Sequence, residues 1–141
     1  MMEIDNIVAR LRSCNSADVE ELVVEAALCI EAKKGVLPGA LDLLLDALLD
    51  RYATSDLHIR SGIIWAIGKA TQQSGLQRLR CIFSETPGNE ETDLLWQWLV
   101  AYENLVGRRV LSEDERYFAE IQANAHRDPR LALGLRRFEL P

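Results

Sequence analysis

Start and stop signals for α-helices recur along almost the whole chain, and between them apolar residues return every three to four positions. Alternating runs bounded by hairpin turns, the mark of β-strands, are missing from the sequence. The pattern predicts an all-α fold. Asn15 or Ser16, followed by Asp18, Glu20 and Glu21, opens a helix with acids where the macrodipole favours them, and Lys33, Lys34 and Gly35 close it. Pro38 suits the first turn of the next helix. Ser55 with Asp56 opens another, expected to end near Gly75. PGNEE at 87–91 reads as a turn and cap, Ser112 to Glu115 has the spacing of a capping box, and Asp128 places a cap before Pro129. About eight helices follow, over 2–13, 17–34, 38–52, 56–74, 76–85, 90–106, 112–126 and 129–138. Their short connections favour antiparallel neighbours.

Three of these segments align on a terminal glycine: ELVVEAALCIEAKKG (21–35), SGIIWAIGKATQQSG (61–75) and DLLWQWLVAYENLVG (93–107), at offsets of 40 and 32 residues. Each is an apolar helix followed by another helix, the pattern of a degenerate two-helix repeat that buries its apolar face against its neighbours. With 141 residues, one helical-repeat domain over 1–141 can bury roughly two thirds of the surface its unfolded chain exposes. Within SDLHIRSGIIWAIGKA (55–70), Asp56 opens a helix, Ile59 and Arg60 form an aliphatic-Arg pair, and Ala66-Ile67-Gly68 is a small-residue triplet near the helix end. This segment resembles the second half of a HEAT repeat. The resemblance implies a short right-handed superhelix, an α-solenoid of about four antiparallel helical hairpins, in a class of folds that mostly bind macromolecules. It implies no catalytic residue. An irregular helical bundle is the competing arrangement.

The segment LDLLLDALLD (41–50) sets Asp42, Asp46 and Asp50 in one row on a helix. On a wheel the three fall within about 80°, opposite Leu41, Leu44 and Leu48, while Leu43 and Leu49 widen the apolar arc to about 240°. Such a helix is expected to have neighbours on two sides. Aspartate is a poor helix-interior residue and like charges four apart repel, so helix stability alone does not explain the row. A hard cation needs six to eight oxygens and usually a loop around it, which one straight row cannot supply. The remaining readings are a solvated face or a docking stripe. Asp18, Glu21 and Glu25 form a second acidic row on the preceding helix, and the two rows are expected to merge into one patch.

Charge narrows the function. The net charge is −6, and residues 1–57 hold 11 acidic against 5 basic side chains while the remainder balances. This disfavours nucleic acid, which requires surplus lysine and arginine. The basic cluster His126, Arg127, Arg130, Arg136 and Arg137 lies at the other end of the chain, so an electrically polar molecule is expected. The pairings of arginine with aromatics at 116–118 and 136–138 are a weak base-stacking signal for the same reason.

Chemistry has little material here. Cys14, Cys29 and Cys81 are odd in number and widely spaced, which fits free thiols in a reducing cytoplasm. His58 and His126 have no ligand partners at metal spacing, and no hydrolase or phosphate-loop motif occurs. No cofactor, metal, catalytic residue or membrane span is expected. Trp65, Trp96 and Trp98 lie in the most repeat-like helices; Trp96 and Trp98 are about 200° apart, so one is expected at a junction or a binding surface. The residues therefore predict a non-catalytic protein-binding module whose acidic N-terminal face docks a basic protein. Asp18, Glu21, Glu25, Asp42, Asp46, Asp50, Trp96 and Trp98 are its candidate partner-binding residues. Size and charge fit an inhibitor or toxin-immunity protein; an adaptor or assembly subunit is the alternative, and an enzyme using His126 is the least favoured. Oligomeric state is not encoded legibly.

Overall fold

The computed structural model describes residues 3–13, 16–35, 38–85 and 91–140. Among them are eight α-helices: α1 (Ile4–Ser13), α2 (Ser16–Lys33), α3 (Pro38–Tyr52), α4 (Leu57–Ile67), α5 (Gln72–Glu85), α6 (Thr92–Val106), α7 (Glu115–Ala123) and α8 (Pro129–Leu135). Two 3-10 turns, Ser112–Asp114 and Ala125–Arg127, flank α7. The all-α expectation holds, and the only pairing of extended backbone among the described residues is an isolated bridge between Arg109 and Glu139.

Capping explains most helix boundaries. Asp56 Oδ1 accepts from the Ile59 N–H at 2.9 Å, and Asp128 caps α8 by accepting from the Arg130 N–H at 3.0 Å with Pro129 next in line. Two expectations need correction. The helix opened by Asp56 ends at Ile67 rather than near Gly75: past it the backbone bonds tighten to three-residue turns, Lys69 N–H to the Ala66 carbonyl and Ala70 N–H to the Ile67 carbonyl, and Gly68 and Gly75 instead serve close packing. A Cβ at Gly68 would lie 3.0 Å from the Ala101 Cβ, and one at Gly75 would lie 2.5 Å from Leu105 Cδ2. Gly75 lies inside α5, so the alignment on terminal glycines breaks there. The other correction concerns Ser112 to Glu115: no side-chain cap forms, and Asp114 is fully buried instead. Residues 87–90 of the expected PGNEE turn, together with Cys14 and Asn15, lie outside the described residues.

The helices form two layers. In one, α3 packs between α1 and α5; in the other, α2, α4, α6 and α8 succeed one another, each packed on the next. Consecutive helices α1–α2, α3–α4 and α5–α6 pair across the layers, and α7 packs on α8. The second layer runs in one direction. Its first turns meet through His58 with Glu20 and through Arg130 with Asp93, and Gly68 just past α4 meets Ala101 in the later half of α6.

Between the layers runs one cluster of buried side chains, from Ile4 to Phe138. Its aromatic centre is Trp98, 1 % exposed, which packs edge-on against Phe83 at 5.1 Å and stacked on Tyr102 at 5.2 Å. The Trp98 indole N–H donates to the Leu79 carbonyl at 2.9 Å, so its one polar group is satisfied inside.

Candidate interaction surface

The aspartate row on α3 points at cations of its own chain. Arg78 on α5, 9 % exposed, donates from Nη2 to Asp46 Oδ1 at 2.9 Å and from Nη1 to Asp42 Oδ1 at 3.2 Å. Asp50 lies 3.7 Å from the Arg12 guanidinium on α1. Two neighbouring helices thus face the row, which is why aspartates are tolerated on it. Leu43, 55 % exposed, is wet, so the apolar arc is narrower than the wheel implied. Among the described residues no three His, Cys, Asp or Glu side chains gather as metal ligands.

The second acidic row does not merge with the first, because α1 stands between them. Its Arg12 faces Asp50, while Arg10 lines a hollow of about 140 Å³ with Glu21, Leu22 and Glu25. Asp18 and Glu21 are exposed; Glu25 is half-buried, with one carboxylate oxygen sealed from solvent and lacking a hydrogen-bond partner. The cations that divide the acids were visible as residue types, but nothing in sequence order places Arg78 over α3.

Two arginines of the basic cluster near the C-terminus, Arg130 and Arg137, are likewise engaged. Arg130 pairs with Asp93 and Asp128 and lies over the Trp96 ring, 5.3 Å from its centroid. The guanidinium holds the Asp128 carboxyl well below the usual carboxylate range. Arg137 grips Glu103 through two bonds of 2.7 and 2.9 Å and lowers that carboxyl in the same way. Arg116 lies over the Tyr117 ring, and Tyr117, Phe118 and Phe138 are buried, so these rings are core. His126 is exposed on the turn before α8, and Arg136 is exposed beyond that helix. Of the tryptophans, Trp98 is corrected from surface candidate to core because it retains almost no accessible area, whereas Trp96 and Trp65 are half-buried. Cys29 is buried, which raises its thiol pKa, and Cys81 is exposed; both are free.

The surface not foreseen from the residue pattern lies on the second layer. Between α2 and α4, reaching α6, runs an open groove of about 320 Å³ lined by Val23, Val24, Ile59, Gly62, Trp65 and Gln97, with Glu20, His58 and Ser61 also on its wall. Val24 and Leu28, one turn apart on α2, are 45 % and 53 % exposed. Around them the exposed charges of α2 are Asp18, Glu20, Glu21 and Glu31, all carboxylates. Glu20 Oε1 lies 2.8 Å from His58 Nε2, and that bond raises the pKa of the imidazole. Lys69 sits over the Trp65 ring, 5.3 Å from its centroid. The sequence signal for this face was the apolar pair Val24 and Leu28 within a helix otherwise edged by acids.

No family model matches the chain, and no curated protein or solved structure matches it either. Among the described residues no helix is long and apolar enough to cross a membrane.

Proposed function

We propose that this chain is a non-catalytic protein-binding module that docks a basic protein on its acidic N-terminal face. The observation that carries the proposal is the outer face of α2, where Asp18, Glu20, Glu21 and Glu31 surround exposed Val24 and Leu28. Opposite charge speeds encounter and orients the partner, and apolar anchors supply affinity. Asp18 and Glu21 are proposed partner contacts; Asp42 and Asp46 contribute less, since Arg78 already pairs with both, and Trp96 is a rim contact. The scaffold we propose is a short HEAT-like superhelix of four hairpins. Its support is the packing of α3 on α1 and α5, and of α2, α4, α6 and α8 in succession. An inhibitor or toxin-immunity protein is the narrower form of the proposal, resting on size and charge.

Affinity capture from the native lysate tests this reading, comparing the native chain with an Asp18→Asn, Glu20→Gln, Glu21→Gln variant. A basic protein held at low salt, released by high salt and lost from the variant is the expected result. Equal capture by both chains overturns it. An assembly subunit is the second reading, favoured by exposed Leu133 and Leu140 on the last hairpin. It predicts self-association visible by light scattering as concentration rises.

A further inference from the structure

We propose that the groove between α2 and α4 receives an amphipathic helix of the partner, with aliphatic side chains along one face and lysine or arginine on its flanks. This rests on the protein-binding reading above and assigns it a site and a ligand class.

Shape comes first. Two parallel helices packed side by side leave a furrow that accepts a third, and a helix laid there buries anchors at i, i+3 or i+4, and i+7. Here the furrow is deepened at Gly62, where no side chain fills the space above Val23. A Cβ at that position would meet only Val23 Cγ1, at 3.4 Å. Val24 and the half-buried Trp65 form apolar walls on either side of that gap. The volume of about 320 Å³ lies at the low end of ligand clefts and suits a few aliphatic anchors rather than a large cofactor.

Charge then selects the occupant. Glu20 is the carboxylate on the groove wall, and Asp18, Glu21 and Glu31 are exposed elsewhere on the same helix, so an acidic helix is repelled and a basic one attracted. Lys69 marks the opposite end, beside Trp65, and orients the basic flank toward Glu20. A second copy of this chain is disfavoured as occupant, because its net charge of −6 repels its twin.

The test uses a nitrogen-15-labelled full chain and two synthetic amphipathic helices with the same leucine stripe, one flanked by lysine and the other by glutamate. The lysine peptide is expected to shift the Trp65 indole N–H and the Ser61 and Gly62 amides, and to bind at least about tenfold more tightly than the glutamate peptide. Gly62→Leu, which fills the furrow, and Val24→Lys, which reverses its wall, are each expected to weaken the lysine peptide by about tenfold or more. Shifts confined to other surfaces, equal binding of the two peptides, or no shift at all overturns the groove as a helix dock. So do groove shifts produced by raising protein concentration alone, which would make a second copy the occupant. If the groove fails while capture still depends on Asp18, Glu20 and Glu21, the binding-module reading survives without it. Loss of both removes the module reading as well.

Discussion

At the residue scale, Asp114 carries the greatest structural burden. Fully buried, it accepts two bonds from Arg80, at 2.7 and 3.0 Å, and one from the Tyr102 hydroxyl at 2.8 Å. That hydroxyl in turn accepts from the Leu111 N–H at 3.0 Å, so the chain entering α7 is tied to α5 and α6. Burial pushes the Tyr102 phenol well above its ordinary pKa. Asp114→Ala removes one partner and strands the rest, and is expected to cost about 3–5 kcal/mol in chemical denaturation, against about 1–2 kcal/mol for Tyr102→Phe. His58 behaves differently because it is exposed. Its pKa is raised by Glu20, so the pairing exists below the imidazole midpoint and disappears as pH rises through it. Glu20→Gln should therefore lower the His58 midpoint in an NMR titration while leaving the fold intact.

Among the helices, glycines separate packing from flexibility. Gly68 has φ −63°, which any residue adopts, yet an added Cβ meets the Ala101 backbone at 3.1 Å. Gly68→Ala and Gly75→Ala are expected to destabilise by about 1–3 kcal/mol through overpacking, although alanine is the better helix former. Gly107 ends α6 at φ +100°, so its glycine is required by conformation rather than space. Gly62→Ala has neither problem and should stabilise by up to about 1 kcal/mol. Thermal melts of the three variants would separate the crowded sites from the open one. The same contrast explains the misplaced end of α4. A glycine at a helix end and a glycine at a helix crossing look alike in sequence, and only the neighbouring helix distinguishes them.

On the scale of the molecule, charge holds the last hairpin in place. Glu103 with Arg137, and Asp93 and Asp128 with Arg130, fasten α8 and the segment after it to α6. The Glu103 and Asp128 carboxyls are held below their ordinary values of 4.5 and 3.8, so their stabilisation is present at neutral pH and lost as pH falls through the lowered values. Hydrogen exchange at acid pH is expected to show α8 loosening before α2 and α4, and high salt at neutral pH should weaken the same exposed pairs. The first acidic row is paired with Arg78 and Arg12, and α1 separates it from the second, which is why the excess charge of residues 1–57 does not form one continuous patch.

Local chemistry determined the helices. Periodicity, Asp56, Asp128 and Pro129 act through neighbours a few residues away, so their effect is legible in residue order alone. The acidity of α2 and the surplus charge of the first part of the chain were equally legible, because composition needs no geometry. Packing between distant segments decided everything else. Which face of α3 meets Arg78, why Gly75 lies within a helix and where Gly62 leaves a furrow depend on contacts between residues about 30 or more apart in the chain, and Trp98 enters the core through Leu79, Phe83 and Phe118, about 15 to 20 residues away. Helical period assigns each side chain to a face of its own helix, but the neighbour opposite that face exists only once the layers have stacked.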